Sequence, residues 1–212
     1  SQHDTLLSTW RFERQCERRT GYSKLKNNKM TEELIIAGFG GQGVLSLGKI
    51  LAYSGIMENK EVTWFPSYGP EMRGGTANVT VILSDTRISS PIAKHFDTAI
   101  ILNQQSMDKF EKSVKPGGTL LYDPNGVIHP PQRTDINIYK VDATVTAVEM
   151  GNPKVFNMIV FGSYLKIRPI VTLNNVEKGL QKSLPERYHN TIPLNLDAIK
   201  KGQEIVEMMH EV

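Results

Sequence analysis

Residues Glu33–Gly48 (ELIIAGFGGQGVLSLG) limit what this chain can fold into more than any other stretch. Leu34, Ile35, Ile36 and Ala37 make an apolar run of the length of one buried strand. The turn Gly38-Phe39-Gly40-Gly41-Gln42-Gly43 follows, and Val44, Leu47 and Leu51 then set a helical period. A strand, a glycine turn and a helix in that order bring backbone N–H groups to a helix N-terminus, where aligned peptide dipoles favour an anion such as phosphate. Glycine suits such a turn because positive φ is open to it, and because a Cβ would hold ligand or neighbouring backbone away.

The remaining pattern alternates strands with helices. The helix begun at Val44 extends to Glu58, with Gly48, Ala52 and Gly55 available for close packing on a sheet. Strands are expected at Glu61–Phe65, Ala77–Leu83, Asp97–Leu102, Thr119–Tyr122 and Ile136–Val141. Gln104–Val114 reads as a helix, and Lys115-Pro116-Gly117-Gly118 as a stop and turn. From Ala143 the pattern is helical, over Thr144–Met150, Val155–Ile167, Leu173–Leu184 and Leu196–Met209, with Asn152-Pro153 as a helix start and Pro169, Pro185 and Pro193 as separators. The expected fold is α/β and Rossmann-like: a mostly parallel sheet with helices on both faces and a helical C-terminal part.

Charge divides the chain unevenly. Residues 1–29 hold seven Lys and Arg against Asp4, Glu13 and Glu17, a net of +4, so the overall +3 leaves −1 for residues 30–212. The body therefore has no basic bias toward nucleic acid. Residues 1–29 read as a basic leader, disordered or adventitious, and residues 30–212 as one domain opening at Met30. No apolar stretch approaches the roughly 20 residues that span a bilayer, and no secretory signal is visible, so the expected location is the cytoplasm. Cys16 is the sole cysteine. It cannot form an intramolecular disulfide, and no thiolate set exists for an iron–sulfur cluster or structural zinc. The five histidines are scattered without metal-ligand spacing, and Ser46 and Ser163 lack the context of a hydrolase nucleophile.

Gly38, Gly40 and Gly43 satisfy the G-x-G-x-x-G spacing of a dinucleotide site. Yet the second strand ends Thr63-Trp64-Phe65-Pro66, without the acid that binds ribose hydroxyls. The bland reading is a turn that packs helix on strand. A second loop is unusual: Pro66-Ser67-Tyr68-Gly69-Pro70-Glu71-Met72-Arg73-Gly74-Gly75-Thr76 crowds charge and hydroxyls among prolines and glycines. Loops at strand carboxyl ends form the ligand crevice of α/β sheets. Arg73 there is suited to gripping a phosphate or carboxylate in bidentate fashion, and Glu71 to pairing with it or with a partner chain. Against this stands a solvated Arg–Glu pair of small energy. Asp123-Pro124-Asn125-Gly126 reads as a turn after a strand, and Asn152 as a cap.

Taken together, GFGGQGV at Gly38–Val44, SYGPEMRGGTANV at Ser67–Val79, VKPGG at Val114–Gly118 and GNPKVFNMIVFGSYL at Gly151–Leu165 closely resemble the gamma subunit of 2-oxoacid:ferredoxin oxidoreductases, equivalent to the gamma domain of single-chain pyruvate:ferredoxin oxidoreductase. The resemblance covers about Met30 to Met209 and leaves out residues 1–29. It implies a complex that oxidatively decarboxylates a 2-oxoacid, transfers the acyl group to coenzyme A and reduces ferredoxin. Thiamine diphosphate, magnesium and iron–sulfur clusters are then expected on the partners, namely a thiamine-binding beta subunit, an alpha subunit and a ferredoxin-like delta subunit. This chain would hold no catalytic residue and no metal, and would enclose the coenzyme A side of the site. The candidate binding residues are Gly38, Gly40, Gly41, Gln42 and Gly43 in the first loop, with Ser67, Tyr68, Glu71, Arg73, Gly74 and Gly75 in the second. The SYGPE-M-RGG form favours 2-oxoglutarate or 2-oxoisovalerate, with pyruvate as a further candidate. A free-standing nucleotide-dependent reductase and a regulator binding a phosphorylated ligand are the competing readings.

Overall fold

The first strand, β1 (Thr31–Phe39), runs up the middle of a seven-stranded sheet and is buried on both faces, as its unbroken apolar run requires. The structure is a computed structural model that describes residues 29–68 and 76–212. The expectations for the leader and for Glu71, Arg73, Gly74 and Gly75 lie outside the described residues.

After β1 come α1 (Val44–Met57), β2 (Glu61–Tyr68), β3 (Thr76–Ser84), β4 (Phe96–Ile101), α2 (Gln104–Phe110), β5 (Val114–Tyr122) and β6 (Asn137–Lys140). The C-terminal part comprises α3 (Ala143–Glu149), α4 (Phe156–Ile167), α5 (Leu173–Ser183), α6 (Ile192–Ile205) and a last strand, β7 (Glu207–His210). The strand order is β2-β3-β1-β4-β5-β6-β7.

The sheet is mixed rather than mostly parallel. β1, β4, β5 and β6 are parallel neighbours, whereas β3 is antiparallel to both β1 and β2, and β7 is antiparallel to β6. The seven residues between β2 and β3 are too few for a parallel crossover, which needs a dozen or more. β3 therefore turns back and slots in between β1 and β2. The α/β character and the helical C-terminal part are as expected.

Two further elements depart from the sequence reading. Lys115–Gly118, expected to stop the preceding helix and turn into a strand at Thr119, instead lies within β5. There the pairing with β4 jumps from Phe96↔Val114 to Thr98↔Thr119, and Gly117 at φ 74° absorbs the irregularity. The last helix ends at Ile205, and Glu207–Met209, expected to be its last residues, belong to β7, which pairs along the open edge of β6.

The face of the sheet that carries Leu34, Ile36, Val79, Val81, Leu83 and Ile100 is covered by α1 and by the C-terminal helices, and it holds the larger core. The other face carries Ile35, Ala37, Ala99, Ile101 and Leu120, and is covered by Met107 and Phe110 of α2 and by Val127. The small residues of α1 act as expected: a Cβ on Gly55 would lie 2.2 Å from Leu83 Cδ2, and one on Gly48 would lie 2.7 Å from Val79 Cγ1. Helices α4 and α6 meet still more closely. A Cβ on Gly162 would fall 1.8 Å from the Ile199 carbonyl oxygen, and one on Gly202 would fall 1.9 Å from that of Ile159. Ser163 seals this crossing by donating to the Gly202 carbonyl at 2.9 Å.

Candidate functional site

Both glycine loops leave the sheet at the same end. Gly38 pairs with Ala77, and Ala77 pairs in turn with Tyr68, so the loop after β2 emerges two strand spacings from the loop after β1, roughly 10 Å away. The carboxyl ends of β1, β2, β4, β5 and β6 share this edge, which is where open α/β sheets place ligands.

The first loop is held by its own glutamine. Gln42 Oε1 accepts from the Phe39 N–H at 2.6 Å, and Gln42 Nε2 donates to the Leu102 carbonyl at 3.1 Å. The Gln42 N–H donates to the Phe39 carbonyl at 3.2 Å. These bonds satisfy two of the loop donors internally and clamp the turn to the end of β4. Gly38 leaves the room this needs, since its Cβ would lie 2.5 Å from Gln42 Oε1. Gly43 then caps α1 in the left-handed region at φ 74°, with no side-chain cap and no acidic residue in the first turn. Neither its cap nor its first turn compensates the positive end of the α1 dipole.

In front of it lies a cleft of about 450 Å³. Gly41, Gln42, Gly43 and Ser46 form one wall. Thr144, Ala147 and Val148 of α3 form the second, and Pro153, Lys154, Phe156 and Asn157 at the start of α4 form the third. Asn157 Nδ2 reaches the Gly43 carbonyl at 3.4 Å. Asn152 is the cap expected of it, accepting from the Lys154 N–H at 3.0 Å and setting the turn that carries Lys154. A helix N-terminus without a cap, an exposed ammonium, the Ser46 hydroxyl and an amide suit an anionic, phosphate-bearing ligand. Val145 and Val148 on α3 stay exposed beside it, giving the cleft an apolar margin.

Of the expected binding residues, the structure brings Gly41, Gln42 and Gly43 into this cleft. Gly38 lies below it in β1, Gly40 is in the exposed turn, and Ser67 is an exposed residue of β2. Tyr68 ends β2 at the same sheet edge. Thr144, Lys154 and Asn157 were not legible as site residues. Lys154 and Asn157 lie in the GNPKVFN stretch, which by spacing alone announces only a helix start, and Thr144 carries no local signal.

A dinucleotide site does not fit this frame. In that fold the second parallel strand adjoins the first and supplies the ribose-binding acid. Here antiparallel β3 intervenes, and β2 offers no acid at its end. The one cysteine is Cys16, and among the described residues no three His, Cys, Asp or Glu gather to hold a metal. Among the described residues no helix is long and apolar enough to cross a membrane.

Residues 33–205 match the family described as pyruvate ferredoxin/flavodoxin oxidoreductase. The chain belongs to that family. Within it, the chain is 34% identical to 2-oxoglutarate synthase subunit KorC of Methanocaldococcus jannaschii, over 84% of this chain and 96% of that protein. Ketoisovalerate oxidoreductase subunit VorA of Methanothermobacter thermautotrophicus shares 49% identity over 88 residues, which are 42% of this chain and 18% of that longer protein. The crystal structure of the gamma subunit of keto/oxoacid ferredoxin oxidoreductase from Geobacter sulfurreducens superimposes with a TM-score of 0.72 at 28% identity, covering 83% of this chain and 96% of that one. The chain is thus a gamma-type subunit of the family. These relatives are subunits of oxidoreductase complexes, and none of them supports a free-standing nucleotide-dependent reductase.

Proposed function

We propose that this chain works as the gamma subunit of a complex that oxidatively decarboxylates a 2-oxoacid, forms the acyl-coenzyme A and passes electrons to ferredoxin. Its own part is to hold coenzyme A through its phosphates. The cleft at the N-terminus of α1 carries this reading, because Lys154, Ser46 and the uncapped helix end converge on one anion-sized space. Arg73, between β2 and β3 in the sequence, carries a fork suited to a second phosphate. The exposed Val145 and Val148 suit the margin where a partner subunit closes over the ligand.

The redox and carbon chemistry belongs to thiamine diphosphate, magnesium and iron–sulfur clusters on alpha, beta and delta partners. This chain binds and orients the acyl acceptor and excludes water around it. The favoured 2-oxoacids are 2-oxoglutarate and 2-oxoisovalerate, in keeping with the KorC and VorA relatives, with pyruvate as a further candidate. The test is the reconstituted complex carrying Lys154→Ala or Arg73→Ala. KM for coenzyme A is expected to rise about tenfold in each, the size of one lost charged phosphate contact of roughly 1.4 kcal/mol, while KM for the 2-oxoacid holds. Assembled complexes with unchanged KM for coenzyme A in both variants overturn the reading.

A further inference from the structure

The cleft has a second support, outside every residue that lines it. Asp123 at the carboxyl end of β5 is 1% exposed, and among the described residues no cation pairs with it. Four donors satisfy its carboxylate instead. Asn125 donates to Oδ1 through its backbone N–H at 2.9 Å and its side-chain Nδ2 at 3.0 Å. Thr144 donates to Oδ2 through its backbone N–H at 3.1 Å and its hydroxyl at 2.5 Å. Thr144 is the second residue of α3 and part of the cleft wall. The Asp142 side chain at the helix N-cap makes no capping bond, so Asp123 supplies the cap from another strand.

The same turn reaches the opposite wall. Gly126, whose N–H donates to the Asp123 carbonyl at 3.2 Å, packs so tightly on β4 that a Cβ would lie 2.0 Å from the Leu102 carbonyl oxygen. That oxygen is the one that accepts from Gln42 Nε2. A continuous line of contacts therefore runs from the glycine loop through Leu102 and the Asp123–Gly126 turn to Thr144.

We infer that Asp123 is a positioning residue for coenzyme A binding: it fixes the spacing between the glycine-loop wall and the α3 wall without touching the ligand. The inference rests on the reading of the cleft as the coenzyme A site. A buried carboxylate held only by neutral donors has a demanding geometry. An amide in its place would turn a donor toward groups that are themselves all donors.

The experiment uses the assembled complex with Asp123→Asn, Thr144→Val, Thr144→Ser, the Asp123→Asn/Thr144→Val pair and Lys154→Ala. Asp123→Asn is expected to raise KM for coenzyme A about tenfold, with kcat at saturation and KM for the 2-oxoacid within about twofold of wild type. Thr144→Val moves KM in the same direction by about threefold, Thr144→Ser restores it, and the pair is no worse than Asp123→Asn alone. Unchanged KM in Asp123→Asn and Thr144→Val, alongside a raised KM in Lys154→Ala, overturns the positioning role and leaves the cleft reading standing. If Lys154→Ala is also silent, both fall. Should Asp123→Asn fail to assemble, the contrast between Thr144→Val and Thr144→Ser decides.

Discussion

Asn157 and Gly43 lie 114 positions apart in sequence and side by side in space, with Asn157 Nδ2 3.4 Å from the Gly43 carbonyl oxygen. A Cβ on Gly43 would sit 2.5 Å from that nitrogen, and Gly43 is at φ 74°. Gly41 is also left-handed, at φ 97°, but nothing lies within 4 Å of its Cβ position. The two glycines separate backbone strain from crowding. Gly41→Ala should cost about 1–2 kcal/mol, the strain of an L residue in that region. Gly43→Ala should cost more, and adding Asn157→Ala should recover only the excess. Urea denaturation of the three variants checks this, and equal costs at the two glycines would refute it.

The crossing of α4 and α6 tolerates nothing larger than hydrogen at Gly162 and Gly202. Each added methyl would meet a backbone oxygen at under 2 Å, and a backbone oxygen cannot swing aside as a side chain can. Gly162→Ala is expected to destabilise by more than about 3 kcal/mol, at the severe end of overpacking. Gly117→Ala, at an open position, should cost about 1–2 kcal/mol. Thermal unfolding monitored by circular dichroism distinguishes the two.

At the amino end of the sheet, Glu32 is fully buried and held by three side chains. Arg168 Nη2 donates to it at 2.5 Å, Thr98 Oγ1 at 2.6 Å and Tyr164 Oη at 3.5 Å. Hydrogen bonding to Glu32 raises the Arg168 guanidinium above its ordinary value. Burial, with Glu32 adding to it, pushes the Tyr164 hydroxyl well up. Arg168→Ala strands the carboxylate and should cost about 3 kcal/mol, near the low end for a broken buried pair because the guanidinium is partly screened by solvent. Glu32→Gln combined with Arg168→Met should recover much of it. A double variant as unstable as Arg168→Ala would show that the pair does more than neutralise itself.

Lys115 makes a pH test. Burial of its ammonium lowers the pKa, but hydrogen bonds and charge from Asp97 at 2.7 Å and Glu33 at 2.6 Å outweigh it, so the folded value lies above 10.5. A group raised on folding contributes in full below its unfolded pKa, and the contribution fades as pH rises through the folded value. The stability gap between wild type and Lys115→Met should therefore be flat up to about pH 10 and shrink above it. A gap that widens with alkali would reverse the assignment.

The sequence by itself determined the β1–turn–α1 unit, the helical C-terminal part and the family. Each of these depends on local pattern: an apolar run, glycines at a turn, a helical period, a cap before proline. The same locality explains the errors. Residues 207–209 continue a helical pattern, and only the open edge of β6 makes them part of a strand. Gly117 and Gly118 look like a stop until β4 is beside them. The β2–β3 reversal was readable, because a connection that short cannot cross over. What tertiary structure alone decided is the cleft. Its walls come from segments up to 114 residues apart, and no spacing rule links Gly43 to Asn157 or Asp123 to Thr144. Sequence patterns report which face of an element is apolar; which polar groups converge at the end of a sheet is set by strand order and helix packing.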